Sequence, residues 1–447
     1  MSRSRLIGLS LALALAGVAA GAPLACAETM DGMVRDLVPA PALLPAQAAA
    51  ETSQPGEARA FAERMNPIGS ETLGRLAGRR GDSTVVISPY GLGSALHLLG
   101  LGAAGEAERS LHGRLLPAGI AAGEQDAGLT ALRDQLMGAT HDKLQLTLAN
   151  AVFVPVTASS SPRFIKRARA IFDAPVEAID FKGAGALERI NAWARDATHG
   201  LVPRILDQID PDARFVLANA VYFNGAWETA FALERTAKGP FTRADGTRRE
   251  ATMMDATLPA GFAEIGNLQA VWLPYAGREV AMLVIAPGPG QGPATVAEAL
   301  QGQSLAGLMA EAHKKRRITP VRVLVPRFRA ESSRDVTEAL AHLGLAPAFA
   351  APSNYAAINK KKSGPLMVVH RAVLEVGEKG SRAAAVTAVA PERSLSIAPL
   401  LAADRPFAFA IVHEPTGAIL FAGYVADPGE EPASEPGQPT RPNLRRN

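Results

Sequence analysis

Cysteine is all but missing. The 447 residues hold one, Cys26, so no internal disulfide can form and the fold must be held by packing alone. Charge of one sign is also lacking. Lys and Arg number 46, Asp and Glu 43, and the formal net charge is only +3. A nucleic-acid partner would call for a concentrated basic excess, so that class is set aside. No apolar run is long enough to span a bilayer; the first, Leu6 to Ala20, is too short. What remains is a composition 48% hydrophobic and 20% charged, which suits a globular chain with ample core.

Enzyme motifs are missing too. The chain has no G-x-S-x-G, no S-x-x-K and no H-E-x-x-H. The nearest approach to a nucleophile elbow, "GLGSALH" (Gly91 to His97), lacks the second glycine and reads as a helix. Eight scattered histidines beside a single cysteine give no metal or thiol site. No enzyme activity, cofactor or metal is expected.

The N-terminus "MSRSRLIGLSLALALAGVAAGAPLACAE" has two arginines, an apolar run and then small residues. That pattern is a secretory signal peptide over residues 1–27, with Ala25-Cys26-Ala27 as the cleavage site. A second reading makes Cys26 the lipid-bearing first residue of a lipoprotein, although Pro23 stands where such signals carry an aliphatic residue. Either way the protein is expected to be secreted, extracellular or periplasmic, and either soluble or lipid-anchored.

Residues 28–61 are rich in Ala and Pro and read as a spacer; residues 429–447 are polar and Pro-rich and read as a disordered tail. Between them, 62–428 shows neither a linker nor a repeat, and one large domain is expected. "NPIGSETLGRLAGRR" and "ALERINAWARDATHGLVPRIL" carry apolar residues at helical spacing, with Gly200 placed to stop the second. "LQLTLANAVFV", "ARFVLANAVYF", "VRVLVPRFRA" and "AILFAGYVA" read as strands, and Glu414 to Gly417 as a hairpin turn. Helices early and sheets late give an α+β class.

One segment resists this reading. "LMVVHRAVLEV" (Leu366 to Val376) is a strand pattern and so is "RPFAFAIV" (Arg405 to Val412), yet "GEKGSRAAAVTAVAPERSLS" between them has few large side chains. Compact domains rarely keep so long a connection without a use for it. By composition alone it is an Ala-rich loop or a helix of good formers.

These pieces, in this order, resemble the serpin family, of a bacterial secreted type, over nearly all of residues 62–428. The resemblance rests on "ISPYGLGSALHLLGLGAAGEAERSL", "LANAVYFNGAWETAF", "VRVLVPRFRAESSRDVTEALAHLGLAPAF", "HRAVLEVGEKGSRAAA" and "DRPFAFAI", the last departing at Ala408, where a larger apolar residue is usual. It implies three β-sheets, eight or nine helices and an exposed reactive-centre loop. It also implies a suicide-substrate inhibitor of serine proteases. A protease cuts the loop, forms an acyl-enzyme, and is disabled as the cut loop inserts into the central sheet.

On this resemblance the loop hinge comprises Glu378, Gly380, Ser381, Arg382, Ala383, Ala384, Ala385 and Thr387. Alternate strand residues share a face. Ser381, Ala383, Ala385 and Thr387 then form a small, uncharged face fit for burial, with Arg382, Ala384 and Val386 opposite. Inhibitory members usually carry Glu where Arg382 stands; a solvent-facing Arg should not block insertion. The scissile bond is either Arg393–Ser394, which suits trypsin-like proteases, or Ser394–Leu395, which the family's usual loop length gives. Ser88, Asn219 and His370 match the family's shutter beneath the sheet, and Trp227 its breach at the top. The expected partner is a serine protease, bound covalently to a monomer.

Two rivals remain. A non-inhibitory serpin would be a cleavable binding or carrier protein, and bulky or charged inward residues or an early Pro would mark it; this hinge has neither. The basic run "HKKRRITPVR" (His313 to Arg322) suggests a polyanion site, but it also reads as a solvated helix end leading into a strand.

Overall fold

The computed structural model describes residues 55–77, 82–121, 123–350, 352–360, 364–381 and 398–429. Arg382, Ala383, Ala384, Ala385, Thr387, Arg393, Ser394, Leu395 and Cys26 lie outside them, as do the signal peptide and nearly all of the tail.

The larger helices are α1 (Pro55–Ala77), α2 (Pro89–Leu101), α3 (Gly105–Leu115), α4 (Gln125–Gly138), α5 (Pro162–Phe172), α6 (Ala186–Ala197), α7 (Thr295–Gly302) and α8 (Leu305–Lys315). Two shorter ones are α9 (Thr337–Leu340) and α10 (Ala346–Ala350). Strands before the chain midpoint are β1 (Val85–Ile87), β2 (Leu144–Pro155), β3 (Val176–Ile179) and β4 (Phe215–Ala226). Next come β5 (Ala237–Thr242), β6 (Arg248–Ile265), β7 (Leu268–Pro274), β8 (Val280–Pro287), β9 (Arg317–Pro326) and β10 (Phe328–Asp335). The last are β11 (Leu366–Val376), β12 (Gly380–Ser381), β13 (Leu400–Ala402), β14 (Phe407–His413) and β15 (Ala418–Val425).

One sheet has the order β10-β11-β4-β2-β3, with β12 also on β4. The other ladder runs β1-β15-β14-β8-β7-β6-β9-β13, with β5 on β6. Strand β6 pairs with β5 and β9 along its first part and with β7 only from Gly261 onward. It therefore belongs to two sheets, and the expected three-sheet α+β architecture is present.

Strands β14 and β15 read as unbroken apolar runs because both faces are covered. Phe407, Phe409 and Ile411 enter one core, while Ala408, Ala410 and Val412 enter the other. Helix α2 is buried almost all round, as a helix threaded through a core must be. Ser88 caps it, its Oγ accepting from the Gly91 N–H at 2.9 Å, and Pro89 supplies the first helical position.

Two readings need correction. Residues 55–61, assigned to the spacer, open α1, because Ala58, Phe61, Ala62 and Met65 recur at helical spacing and bury against the core. "VRVLVPRFRA" is not one strand: β9 stops at Pro326 and β10 starts at Phe328 in another sheet. Arg327 between them still gives its N–H to Thr252 O, one step past the Pro326↔Met253 pair of β9 and β6, and the chain changes sheets directly after it. The basic run is the end of α8 leading into β9, as expected.

Candidate functional site: the seam between β4 and β11

Strands β4 and β11 pair in parallel from Phe215↔Leu366 up to Val221↔Ala372 and then separate. Two groups of side chains flank this seam, one at mid-height and one at its open top.

At mid-height, Ser88, Asn219 and His370 come together. The Ser88 N–H donates to His370 Nε2 at 3.0 Å, and His370 Nδ1 meets Asn219 Oδ1 at 2.9 Å. A backbone N–H only donates, so Nε2 must accept, and Nδ1 therefore carries the proton and donates to Asn219. The Asn219 amide passes the direction on, donating to Asn150 Oδ1 at 3.0 Å and Ala149 O at 3.2 Å. Asn150 reaches Ser94 Oγ at 3.4 Å, and Ser94 donates to Gly91 O at 2.8 Å. Burial lowers the His370 pKa from 6.5 to about 4. A second ring proton would also face the Ser88 N–H, donor against donor.

The register explains the row. His370 lies opposite Asn219 across the seam, and Asn219 lies opposite Asn150 on β2. Sequence reading missed Asn150, although its signal was visible: "LANAV" occurs at Leu148–Val152 and again at Leu217–Val221. Antiparallel pairing of the two copies sets one asparagine against the other. The backbone of α2 approaches closely here. A Cβ on Gly91 would lie 2.4 Å from Asn219 Oδ1.

At the top, Trp227 is held by its backbone and its ring. Its N–H donates to Lys379 O and its Nε1 to Gly377 O, both at 2.9 Å. The indole stacks on Tyr275, with centroids 4.4 Å apart and planes at 16°. Tyr275 Oη shares a 2.6 Å hydrogen bond with Ser381 Oγ, and burial pushes its phenol pKa upward, keeping it protonated. Arg327 Nε contacts both Glu378 carboxylate oxygens, at 2.7 and 2.9 Å. Neither Tyr275 nor Arg327 was legible, since both are far from the loop in sequence.

Two of the residues expected in the loop hinge are already paired with β4. Gly380 and Ser381 form β12, antiparallel to β4, opposite Ala226 and Gly225, and Ser381 is fully buried. Gly380 has φ +142, and a Cβ there would sit 2.0 Å from Gly225 O, so no other residue fits. Strand β12 thus occupies the gap where β4 and β11 part.

The model of the family described as Serpin (serine protease inhibitor) matches residues 63–428. The chain belongs to the serpin family. This serpin is 30% identical over 356 residues to the leukocyte elastase inhibitor of Bos taurus, spanning 77% of this chain and 93% of that protein. It is 32% identical over 391 residues to the glia-derived nexin of Homo sapiens, spanning 81% and 95%. Among solved structures, native protease nexin-1 with heparin superposes with TM-score 0.72 at 28% identity, covering 83% of this chain and all (100%) of that one.

Proposed function

We propose that this serpin is a suicide-substrate inhibitor of trypsin-like serine proteases. The observation that carries the reading is β12: the loop enters the seam antiparallel to β4, with its first side chain buried. Continuing that register down β4 sets Ala383 opposite Phe223, Ala385 opposite Val221 and Thr387 opposite Asn219. Phe223 and Val221 face the main core, so the small residues of the loop meet the buried face. Arg382 meets Asn224, which is only half-buried.

In this reading the protease serine attacks the Arg393 carbonyl carbon. An ester forms, the Arg393–Ser394 C–N bond breaks, and the proton passes to the leaving Ser394 amine. The freed strand then adds between β4 and β11, and Thr387 comes between Asn219 and His370, whose hydrogen bond must break. At about 3.3 Å per residue the acyl bond travels on the order of 45 Å. A displacement of ~1 Å in the protease's own site is enough to disable deacylation. Ser394–Leu395 is the alternative bond. We also propose export by the N-terminal signal, with cleavage after Ala27 or lipidation at Cys26.

A second reading, a cleavable carrier, is favoured by a cavity of about 310 Å³ beside Trp227, lined also by Phe231, Leu258 and Trp272. Mixing mature protein with trypsin at equal molarity separates the two on a denaturing gel. A detergent-resistant adduct at the summed mass, lost in Arg393→Ala, is the expected result. An adduct persisting in the variant moves the bond to Ser394–Leu395. Clean cleavage without adduct, by trypsin and by elastase-type and subtilisin-type enzymes alike, gives the carrier reading.

A further inference from the structure

Three buried polar atoms among the helices have no hydrogen-bond partner and no part in the inhibitory reading. They are Nε2 of His97 on α2, Nε2 of His112 on α3 and Oε1 of Gln125 at the start of α4. His97 and Gln125 are each only 1% exposed. A buried polar atom left unpaired is costly, and each one in a folded protein asks for an occupant or a use.

Packing gathers them. His112 Nε2 lies against α2, 4.0 Å from where a Cβ on Gly100 would stand. Gly100 is three residues from His97 and so its neighbour on the helix surface. A proton on His112 disfavours one on His97, as between rings close enough to repel. The His97 ring meets Phe61 of α1 edge-on, with centroids 5.6 Å apart. Phe61 packs on α4 as well, where a Cβ on Gly128 would fall 2.3 Å from its ring. Gln125 stands three residues before Gly128, on the same face of α4. Among the described residues no three His, Cys, Asp or Glu side chains cluster as metal ligands. A third ligand beside the two histidines must therefore be of another kind, and the Gln125 amide oxygen is one.

We infer that His97, His112 and Gln125 hold a divalent transition-metal ion of the zinc type, which staples α2, α3 and α4 together. Neutral imidazole is the form that binds a metal. Burial lowers the His97 pKa from 6.5 to about 3 and lowers that of His112 as well, so both rings are neutral at pH 7. Glu108 Oε1 stands 3.9 Å from His112 Nδ1, which favours the ring proton there and leaves the Nε2 lone pair free. A carboxylate behind a histidine ligand is the common support of zinc sites. With His97 in the same tautomer, all three unpaired atoms are acceptors. A water molecule has two protons for three acceptors, whereas a metal ion takes all three lone pairs and keeps a fourth position for water. Arg167 also acts on His112, but its charge is answered by Asp126 through two contacts, at 2.9 and 2.5 Å. His112 is only partly buried and gives the ion its way in.

The inference does not depend on the protease reading, and the intact, uncut mature chain tests it. After EDTA treatment and its removal, Zn2+ added at pH 7 should bind at one ion per chain by calorimetry and raise the melting temperature. His97→Leu should abolish that binding and the thermal gain. It should leave the metal-free protein at least as stable as the parent, because it removes a buried unpaired nitrogen. Glu108→Gln, which touches no metal, should weaken Zn2+ binding about tenfold. His141→Gln is the control. His141 is exposed beside Asp142, 3.5 Å away, where a surface ion would collect, and this variant should bind as the parent does. If His97→Leu does not fold, His112→Leu, at the partly exposed ring, takes its place and should lose the ion in the same way. Absence of stoichiometric Zn2+ binding overturns the site, with a buried water then facing these atoms. Binding that survives His97→Leu or His112→Leu, or that disappears in His141→Gln, overturns it too.

Discussion

His370 is held neutral by what faces it. The Ser88 N–H fixes Nε2 as an acceptor, and burial lowers the pKa to about 4. Above pH 6.5 neither the folded nor the unfolded chain holds the proton, and the histidine makes no pH-dependent contribution. Between pH 6.5 and 4 the unfolded chain takes the proton first, so stability falls as pH falls, by about 3 kcal/mol for this residue. Urea unfolding at pH 7 and at pH 4.5 should show a smaller acid loss in His370→Gln than in the parent; equal losses would contradict the account. Gly91→Ala drives a Cβ within 2.4 Å of Asn219 Oδ1 and 2.8 Å of Val221 Cγ2. It should cost about 1–3 kcal/mol as overpacking, read as a lower urea midpoint. Ser88, Asn219 and His370 were legible only through the resemblance, because nothing local marks a buried polar row. Asn150 was legible in principle, in the doubled "LANAV", but only strand register turns a repeat into a contact.

At the scale of elements, the proposed hinge depends on two residues of β12. Gly380→Ala adds a Cβ 2.0 Å from Gly225 O at φ +142. It should expel β12 from β4 at a cost of about 2 kcal/mol or more. Because Trp227 binds the neighbouring Gly377 and Lys379 carbonyls, the expulsion should move tryptophan emission; unchanged emission would mean the hinge has other support. Ala385→Arg puts a charge opposite Val221 in the core. It should turn the chain into a cleavable substrate that forms no protease adduct, and a full yield of adduct would refute the register. Apolar strand-forming runs marked β2, β4, β11 and β15 well. They could not mark β12, which is too short for a pattern, nor the split of "VRVLVPRFRA", because the pattern runs on across Arg327 while the chain passes from one sheet to the other.

For the whole molecule, the class and the three sheets followed from long ordered segments, since each sheet draws strands from distant parts of the chain. Local patterning alone reached only α+β, and composition only a globular chain. The proposed insertion adds about ten backbone hydrogen bonds at roughly 1 kcal/mol net each. At ~2–4 °C per kcal/mol for a domain this large, loop cleavage should raise the melting temperature by tens of degrees.

The central claim is the register of the inserted strand, and a cysteine pair tests it directly. Cys26 is the chain's only native cysteine, and a mature form beginning after it has no competing thiol. In Val386→Cys/Ala220→Cys, that register sets the two thiols opposite each other on the outer face once the loop is cut. A disulfide should form quickly after cleavage, and only slowly before it. A disulfide that forms equally fast in the uncut protein, or never forms after cleavage, would contradict insertion between β4 and β11.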